Sequence, residues 1–405
     1  MRRARRLRLV PRRIPTLNLI ARLFERARKP KMSHSDPTVP HAHDTQHITD
    51  TIDQALTAAG LERHSGTAPG IRATIDRALA QAGLTQAGMA HASPAKVDRR
   101  ARASDAPEST ATGGEFVSRS FTNGAGTRDY KLYLPRGYSA DVAPMPLVVM
   151  LHGCTQSPDD FAAGTRMNQL ADASGFMVAY PAQAPRANGA KCWNWFRTDD
   201  QAYGRGEPSL IAGIADEVAS GYRVDPRRIF VAGLSAGAAM AVILGETYPD
   251  VFSAVGAHSG LPYAAAHDVS SAFTAMKGGA ARTGKPPSNR NSARGAVPTI
   301  VFHGDVDSTV AASNGLAIVR DAAGTSAAAS QHATPRHDAV QGARAYTREV
   351  FAAAAGRPRV EYWLVHGAGH AWSGGSAEGS YTDPAGPDAS AEMIRFFLQQ
   401  PGNPH

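Results

Sequence analysis

A chain of 405 residues, 42% of them hydrophobic, is long enough to bury the core of a large domain and leave a long segment over. Its formal net charge is +8, but residues 1–31 alone carry +11, which leaves −3 for the remaining chain. A basic surface for nucleic acid is therefore not expected on the main body of the protein.

The first segment, residues 1–31, is a basic arm. Arginines interrupt each of its apolar stretches, so it matches neither a secretory signal nor a transmembrane segment. Residues 16–26 favour a short basic amphipathic helix that could lie on an anionic surface. The alternative is that translation starts at Met32 and the arm is not made in quantity. Without a visible export signal, the sequence by itself favours the cytoplasm.

The second segment, residues 32–112, is a low-complexity linker rich in Ala, Thr, Ser, His, Pro and Gly, and most of it is expected to be disordered. One internal repeat interrupts it: residues 51–61 recur as residues 74–84, identical at eight of eleven positions. Each copy has apolar residues at helical spacing and ends in Gly-Leu, which predicts two short amphipathic helices. Helices of this length need a surface to pack on, either each other or the main domain.

The main domain is predicted to span residues 113–400. Early segments alternate polar with apolar residues and are expected to pair antiparallel at a sheet edge, whereas the later apolar runs are expected to be buried parallel strands. With a helix between successive strands, this order predicts an α/β fold, a doubly wound mostly parallel sheet with helices on both faces. The predicted edge strands are 116–121 and 128–134, the buried strands are 146–151, 176–181, 228–234, 297–304 and 360–365, and one of the helices is 209–222. The composition of residues 264–295, just before strand 297–304, predicts a mobile loop.

The most informative motif is Gly233-Leu234-Ser235-Ala236-Gly237, which lies between a buried strand and a helix of small residues. This context indicates the nucleophile elbow of a serine hydrolase, in which the glycines allow close backbone approach around a strained serine. The alternative is a structural glycine turn. The elbow hypothesis requires backbone N–H donors for an oxyanion hole, and we assign these to Cys154, at the exit of strand 146–151, and to Ala236.

An elbow also predicts an acid and then a histidine further along the chain. The loop after strand 297–304 offers two aspartates: the spacing Gly-x-x-Asp-x-x-Val favours Asp307, and Asp305 is expected to hold the loop through backbone hydrogen bonds. After strand 360–365, His370 is favoured as the general base because glycine precedes it on a loop, whereas His366 is expected to bond backbone carbonyls. Two further histidines, His258 and His303, are expected to be structural.

The motifs Leu151–Gln156, Lys191–Phe196, Gly233–Gly237 and Gly369–Gly375 together resemble the polyhydroxybutyrate (PHB) depolymerase family of esterases. The resemblance covers roughly residues 115–400. It implies an α/β-hydrolase fold, a triad of Ser235, Asp307 and His370, and no cofactor. It also implies an ester or polyester substrate, with a short-chain hydroxyalkanoate polyester favoured and feruloyl or acetylxylan esters as the alternative, and it suggests secretion, in contrast to the missing export signal.

Both cysteines, Cys154 and Cys192, belong to loops expected at the rim of the site. Residue spacing leaves open either a disulfide or two free thiols, and the resemblance favours the disulfide. The chain has too few clustered Cys and His residues for a zinc site, so no metal is expected. Trp193 and Trp372 lie beside the motifs and are predicted to be exposed aromatic contacts for substrate, with core packing as the alternative.

A hypothesis from another class is a non-catalytic protein that binds polyester granules. It is less favoured because a binding module does not need Ser, Asp and His in this order. In either case, the basic arm and the two repeated helices could attach the protein to a granule or to an anionic surface. A peptidase with the same triad would ordinarily bring a propeller domain, and no blade-like repeats are present.

Overall fold

The computed structural model of the protein describes residues 114–278, 297–324, 330–332, 342–352 and 358–403. The predicted arm (1–31), linker (32–112) and repeated helices (51–61 and 74–84) lie outside the described residues. No helix in the described part of the chain is long and apolar enough to cross a membrane.

Ten strands form one mixed sheet in the order β1-β2-β4-β3-β5-β6-β7-β10-β9-β8. The centre, from β4 to β10, is parallel, while β1, β2, β9 and β8 add antiparallel pairs at the two edges. This is the predicted α/β-hydrolase architecture, including the antiparallel edge. The strands are β1 (Glu115–Asn123), β2 (Gly126–Leu134), β3 (Met145–Leu151), β4 (Met177–Pro181), β5 (Val224–Leu234), β6 (Ala254–His258), β7 (Thr299–Gly304), β8 (Ser330–His332), β9 (Tyr346–Ala352) and β10 (Pro358–Val365), with a separate short pair, β11 (Trp372–Ser373) and β12 (Thr382–Asp383).

Helices cover both faces of the sheet, and strand β3 shows the two layers of the core. Val149 and Leu151 pack with residues of α3, α4 and α6, whereas Val148 and Met150 pack with residues of α1, α2 and α7. A strand buried on both faces needs apolar residues at every position, which explains the continuous apolar run in the sequence. The described helices are α1 (Pro158–Thr165), α2 (Met167–Ser174), α3 (Gly206–Gly221), α4 (Ala236–Thr247), α5 (Val269–Met276), α6 (Ser313–Ala323) and α7 (Ala389–Leu398).

Helix α5 was not expected, because the composition of residues 264–295 predicts a loop. It begins at a capping box in which Asp268 accepts a hydrogen bond from the Ser271 backbone and the Ser271 hydroxyl contacts the Asp268 backbone. These reciprocal bonds satisfy N–H groups at the start of the helix and stabilise even a short segment. The rest of that loop, residues 279–296, lies outside the described residues.

Candidate active site

Ser235 occupies the sharp turn between β5 and α4. Its φ and ψ are 58° and −118°, a region that non-glycine residues rarely enter and that costs about 1–3 kcal/mol. The Ser235 N–H donates to the His258 carbonyl at the end of β6, with an N···O distance of 2.9 Å. The surrounding strands therefore hold this residue in the strained conformation expected of a nucleophile elbow.

The two flanking glycines are needed for space. A Cβ at Gly237 would lie 2.1 Å from the Leu151 carbonyl oxygen, and one at Gly233 would lie 2.5 Å from the carbonyl carbon of Gly237. Both contacts are with backbone, which cannot move without separating β3 from β5 and α4. The motif thus specifies glycine for steric reasons at both positions.

Asp307 and His370 form a hydrogen-bonded pair. Asp307 Oδ2 accepts from His370 Nδ1 at 2.7 Å, and Asp307 Oδ1 accepts from the backbone N–H groups of Thr309 and Val310, each at 2.9 Å. Because the carboxylate only accepts, the imidazole proton is on Nδ1 and Nε2 is left as the proton acceptor. Burial acts to raise the pKa of Asp307, but the hydrogen bond and charge of His370 outweigh it and the pKa is lowered.

Asp305 pairs with the other candidate histidine. Its carboxylate accepts from His366 Nδ1 at 3.0 Å and from the Gly367 N–H at 2.7 Å. The expectation that His366 would bond backbone carbonyls was wrong: its second nitrogen, Nε2, contacts the Thr347 hydroxyl at 2.9 Å. Asp305 and His366 thus connect the two loops that carry Asp307 and His370.

Two buried histidines support the site from behind. His258 Nε2 accepts from the Ser373 N–H at 2.9 Å, and burial lowers the pKa of His258 to about 3, so the ring is neutral. His303 Nε2 lies 2.8 Å from the Val310 carbonyl and 3.6 Å from Asp307 Oδ2. Neither ring reaches solvent, which agrees with the expected structural roles.

The assigned oxyanion donors lie at the carboxyl ends of neighbouring strands, Cys154 after β3 and Ala236 after β5. Within the described part of the chain, no group accepts a hydrogen bond from the backbone N–H of Cys154 or of Ala236. Ala236 is the first residue of α4, where an N–H has no partner within the helix. The structure contains the Cys154–Cys192 disulfide, which ties the first donor to the loop after β4.

The prediction of exposed tryptophans was wrong for both residues. Trp193 is 0% exposed and its indole N–H donates to the His152 carbonyl at 3.0 Å. Trp372 is 1% exposed and donates to the Ser390 hydroxyl at 3.0 Å. Both indoles therefore support the loops around the site from within the core, because burial removes apolar ring area from water while a partner satisfies the N–H.

Sequence reasoning missed Glu207, a buried carboxylate that organises the loop containing Cys192. Glu207 accepts from the Asn194 backbone N–H at 2.7 Å, the Asn194 side chain at 2.8 Å and Gln183 at 2.5 Å, and it pairs with Arg128 at 3.1 Å. An acidic residue early in an otherwise apolar helix was the available signal. Within the described ranges, no three His, Cys, Asp or Glu side chains are grouped as a metal ion would require.

Comparison with known proteins relates part of this sequence to a known family. The family described as "Esterase PHB depolymerase" matches residues 128–329, a range that contains Ser235 and Asp307 and ends before His370. Poly(3-hydroxyalkanoate) depolymerase C of Paucimonas lemoignei is 35% identical over 262 residues, covering 63% of this chain and 60% of that protein.

Two further relatives are esterases by name. Feruloyl esterase B of Neurospora crassa is 34% identical over 119 residues (29% of this chain, 40% of that protein), and the probable acetylxylan esterase A of Aspergillus fumigatus is 34% identical over 143 residues (35% and 36%). The alignments thus span less than two thirds of these three relatives' own lengths. Among solved structures, an acetyl xylan esterase from Aspergillus awamori matches with a TM-score of 0.52 at 18% identity, covering 70% of this chain and 99% of that chain, which supports the fold alone.

Proposed function

Since the chain belongs to the PHB depolymerase family of α/β-hydrolase esterases, we propose that it is a serine carboxylic ester hydrolase. The observation that carries this proposal is the pairing of Asp307 with His370 at the same sheet edge as the strained Ser235. Strands β5, β7 and β10 end at this edge, and each is followed by one member of the triad. In open α/β sheets, ligands bind outside these carboxyl ends.

The proposed reaction has two acyl-transfer steps. Ser235 Oγ attacks the ester carbonyl while His370 Nε2 accepts its proton, and the imidazolium then donates that proton to the leaving alcohol. Asp307 keeps the histidine proton on Nδ1 and stabilises the charged ring. The backbone N–H groups of Cys154 and Ala236 would donate to the oxyanion, each stabilising the tetrahedral intermediate by about 3–4 kcal/mol. Water activated by His370 then releases the acid from Ser235.

The favoured substrate is a short-chain hydroxyalkanoate polyester or its oligomers. The support for this choice is the 35% identity to a poly(3-hydroxyalkanoate) depolymerase over 262 residues. The alternative, feruloyl or acetylxylan esters, draws on shorter alignments with esterases of those names. All of these substrates fit the same proposed chemistry, because only the acyl and alcohol groups around the reacting carbonyl differ.

A substrate panel with a Ser235→Ala control tests the proposal. We would measure hydrolysis of 3-hydroxybutyrate oligomers, amorphous poly(3-hydroxybutyrate), p-nitrophenyl acetate and butyrate, and methyl ferulate. The proposal expects activity that is lost in Ser235→Ala and is highest on the hydroxybutyrate substrates. Highest activity on methyl ferulate or acetyl esters would instead support the alternative substrate. Equal activity in both proteins, or none in either, would refute the serine esterase.

The N-terminal region is proposed to bind polyester granules or an anionic surface. The argument rests on its +11 arm and its two predicted amphipathic helices, 51–61 and 74–84. Deletion of residues 1–112 should then reduce co-sedimentation with granules while leaving hydrolysis of p-nitrophenyl butyrate within about twofold. Unchanged co-sedimentation of the shortened chain would refute this part of the proposal, whatever the activity.

A further inference from the structure

The peptide group between Gly153 and Cys154 is held by the His152 ring. His152 Nε2 accepts from the Gln183 N–H at 3.1 Å, so the ring proton is on Nδ1, and Nδ1 donates to the Gly153 carbonyl at 2.7 Å. In a trans peptide the carbonyl and the next N–H point in opposite directions. The direction of the Gly153 carbonyl therefore sets the direction of the Cys154 N–H.

The preceding peptide group is held by Gln156. Its Oε1 accepts from the Gly153 N–H at 2.8 Å, and its Nε2 donates to Asp160 Oδ2 at 2.9 Å and to the Ser380 carbonyl at 3.0 Å. Gln156 is 3% exposed, so these are its available partners in place of water. Two acceptors face the amide nitrogen and one donor faces the oxygen, which fixes the orientation of the side chain.

Asp160 anchors this arrangement to a distant loop. Its Oδ1 accepts from the Ser380 N–H at 2.9 Å and its Oδ2 accepts from the Ser380 hydroxyl at 2.6 Å. Ser380 belongs to the segment between β11 and β12, and β11 begins two residues after His370. The chain of contacts from Gly153 through Gln156 and Asp160 thus joins the oxyanion loop to the segment that follows the proposed base.

We propose that Gln156, held by Asp160, is a positioning residue that orients the Cys154 N–H toward the oxyanion. This inference rests on the proposed function, because it concerns the donor that would stabilise the tetrahedral intermediate. Gln156 itself does not touch the reacting atoms. Its contribution is to fix the Gly153 backbone, so that the Cys154 donor is already oriented when negative charge develops on the substrate oxygen.

The contact between Gln156 and Asp160 can be tested by exchanging its donor and its acceptor between the two positions. Gln156→Glu keeps an oxygen for the Gly153 N–H but places a carboxylate against Asp160. The Ser380 hydroxyl, 3.3 Å from Nε2 and 2.6 Å from Asp160 Oδ2, is then the donor between the two carboxylates and has a single proton to donate. Adding Asp160→Asn supplies an amide donor to the new carboxylate and restores the contact between positions 156 and 160 with the polarity reversed, while the Ser380 carbonyl still faces that carboxylate. The double variant should therefore recover part of what the single variant loses.

The experiment compares wild type, Gln156→Glu and Gln156→Glu/Asp160→Asn with p-nitrophenyl butyrate and with butylboronic acid. The boronic acid mimics the intermediate: Ser235 Oγ adds to boron, its proton passes to His370, and one boron oxygen takes the oxyanion position. Gln156→Glu should lower kcat and weaken boronate binding by about 10–100-fold each, since loss of a whole donor costs about 10²–10³-fold, while KM changes by less than about threefold. The double variant should recover part of both losses, with kcat and boronate affinity at least about threefold better than in Gln156→Glu.

A matched control separates positioning from loss of stability. Gln201 is also a buried glutamine, and its Nε2 donates to the Trp195 and Ala266 carbonyls. Gln201→Glu introduces the same change elsewhere and should lower Tm without weakening boronate binding. If Gln156→Glu does not fold, the neutral Gln156→Met takes its place in the kinetic comparison and should lose the same factor in kcat.

Two outcomes would overturn the positioning role. One is unchanged kcat and boronate affinity in the folded Gln156 variant, and the other is a double variant no better than the single one. Failure of the proposed function looks different: wild type would not hydrolyse the ester, or Ser235→Ala would be as active as wild type. An active wild type, an inactive Ser235→Ala and a normal Gln156 variant would refute the positioning role alone.

Discussion

Asp307 and His370 lie 63 positions apart in the chain, yet their side chains share a hydrogen bond of 2.7 Å. The contact forms because β7 and β10 are parallel neighbours, so the loops that follow them meet at the same sheet edge. Two residues earlier, Asp305 holds His366 in the same manner at 3.0 Å. The two pairs differ in exposure: the Asp307 side chain is 0% exposed and that of Asp305 is 33% exposed.

This difference predicts unequal effects of removing the two carboxylates. Asp307→Asn should lower kcat by about 10³–10⁴-fold, because the amide no longer holds the histidine proton on Nδ1. Asp305→Asn should lower it by less than about tenfold, since an exposed hydrogen-bonded pair contributes little and the Gly367 contact can persist. Initial rates on p-nitrophenyl butyrate measure both. Equal losses in the two variants would contradict the assignment of Asp307 as the acid.

The elbow glycines predict a large steric effect on folding. Gly237→Ala would place a methyl group 2.1 Å from the Leu151 carbonyl and 2.6 Å from the His152 carbonyl. Overpacking against backbone should destabilise the protein by about 3 kcal/mol or more. Gly221→Ala is the control, because its new Cβ meets nothing within 4 Å, and it should change stability by no more than about 1 kcal/mol. Urea denaturation compares them, and similar midpoints would contradict the steric argument.

The local features of the site could be predicted from sequence, because each depends on residues close together in the chain. The turn at Ser235 follows from its glycines, and the choice of Asp307 over Asp305 followed from spacing within one loop. The main strands were also predicted, since full burial requires continuous apolar runs such as the one in β3. Helix α5 was missed because the helix is only two turns long and a reciprocal cap at Asp268 and Ser271 is a weak signal by itself.

Features that depend on contacts between distant segments could not be predicted. Trp372 is buried by Phe161 and His258, whose ring centroids lie 5.4 and 5.2 Å away, and neither neighbour follows from its position beside His370. The Gln156–Ser380 contact spans 224 positions. Proximity to a motif in the sequence therefore indicated where the tryptophan backbone lies, but not whether its ring faces solvent or core.

Burial of Trp372 predicts a stability effect in place of a substrate effect. Trp372→Phe removes part of a packed ring and the hydrogen bond to Ser390, which should destabilise the protein by about 2–3 kcal/mol. KM for p-nitrophenyl acetate and butyrate should stay within about twofold of wild type. Thermal unfolding and steady-state kinetics measure the two effects. A KM shift of about tenfold with unchanged Tm would restore Trp372 as a substrate contact.

The buried His258 predicts that stability falls in mild acid. The pKa of His258 is about 3 in the folded protein against 6.5 for a free histidine, so below pH 6.5 the unfolded chain binds a proton that the folded chain does not. The contribution of neutral His258 to the free energy of unfolding is therefore fully present above pH 6.5, and it is lost as the pH falls toward 3. Between pH 6.5 and 4.5 the loss should be about 2 kcal/mol. Burial lowers the pKa of His152 and His303 in the same direction, so they add to it.

A neutral replacement isolates the part due to His258. In His258→Gln the amide oxygen can accept from the Ser373 N–H in place of Nε2, and no group at this position titrates. This variant should be less stable than wild type at pH 7, because the stacking on Trp372 is lost, but its Tm should fall less between pH 7 and 4.5. The pKa of Asp307 is lowered from 3.8, so its carboxylate stays ionised across this window and does not contribute to the difference. Parallel Tm curves for the two proteins would mean that His258 is protonated in the folded state.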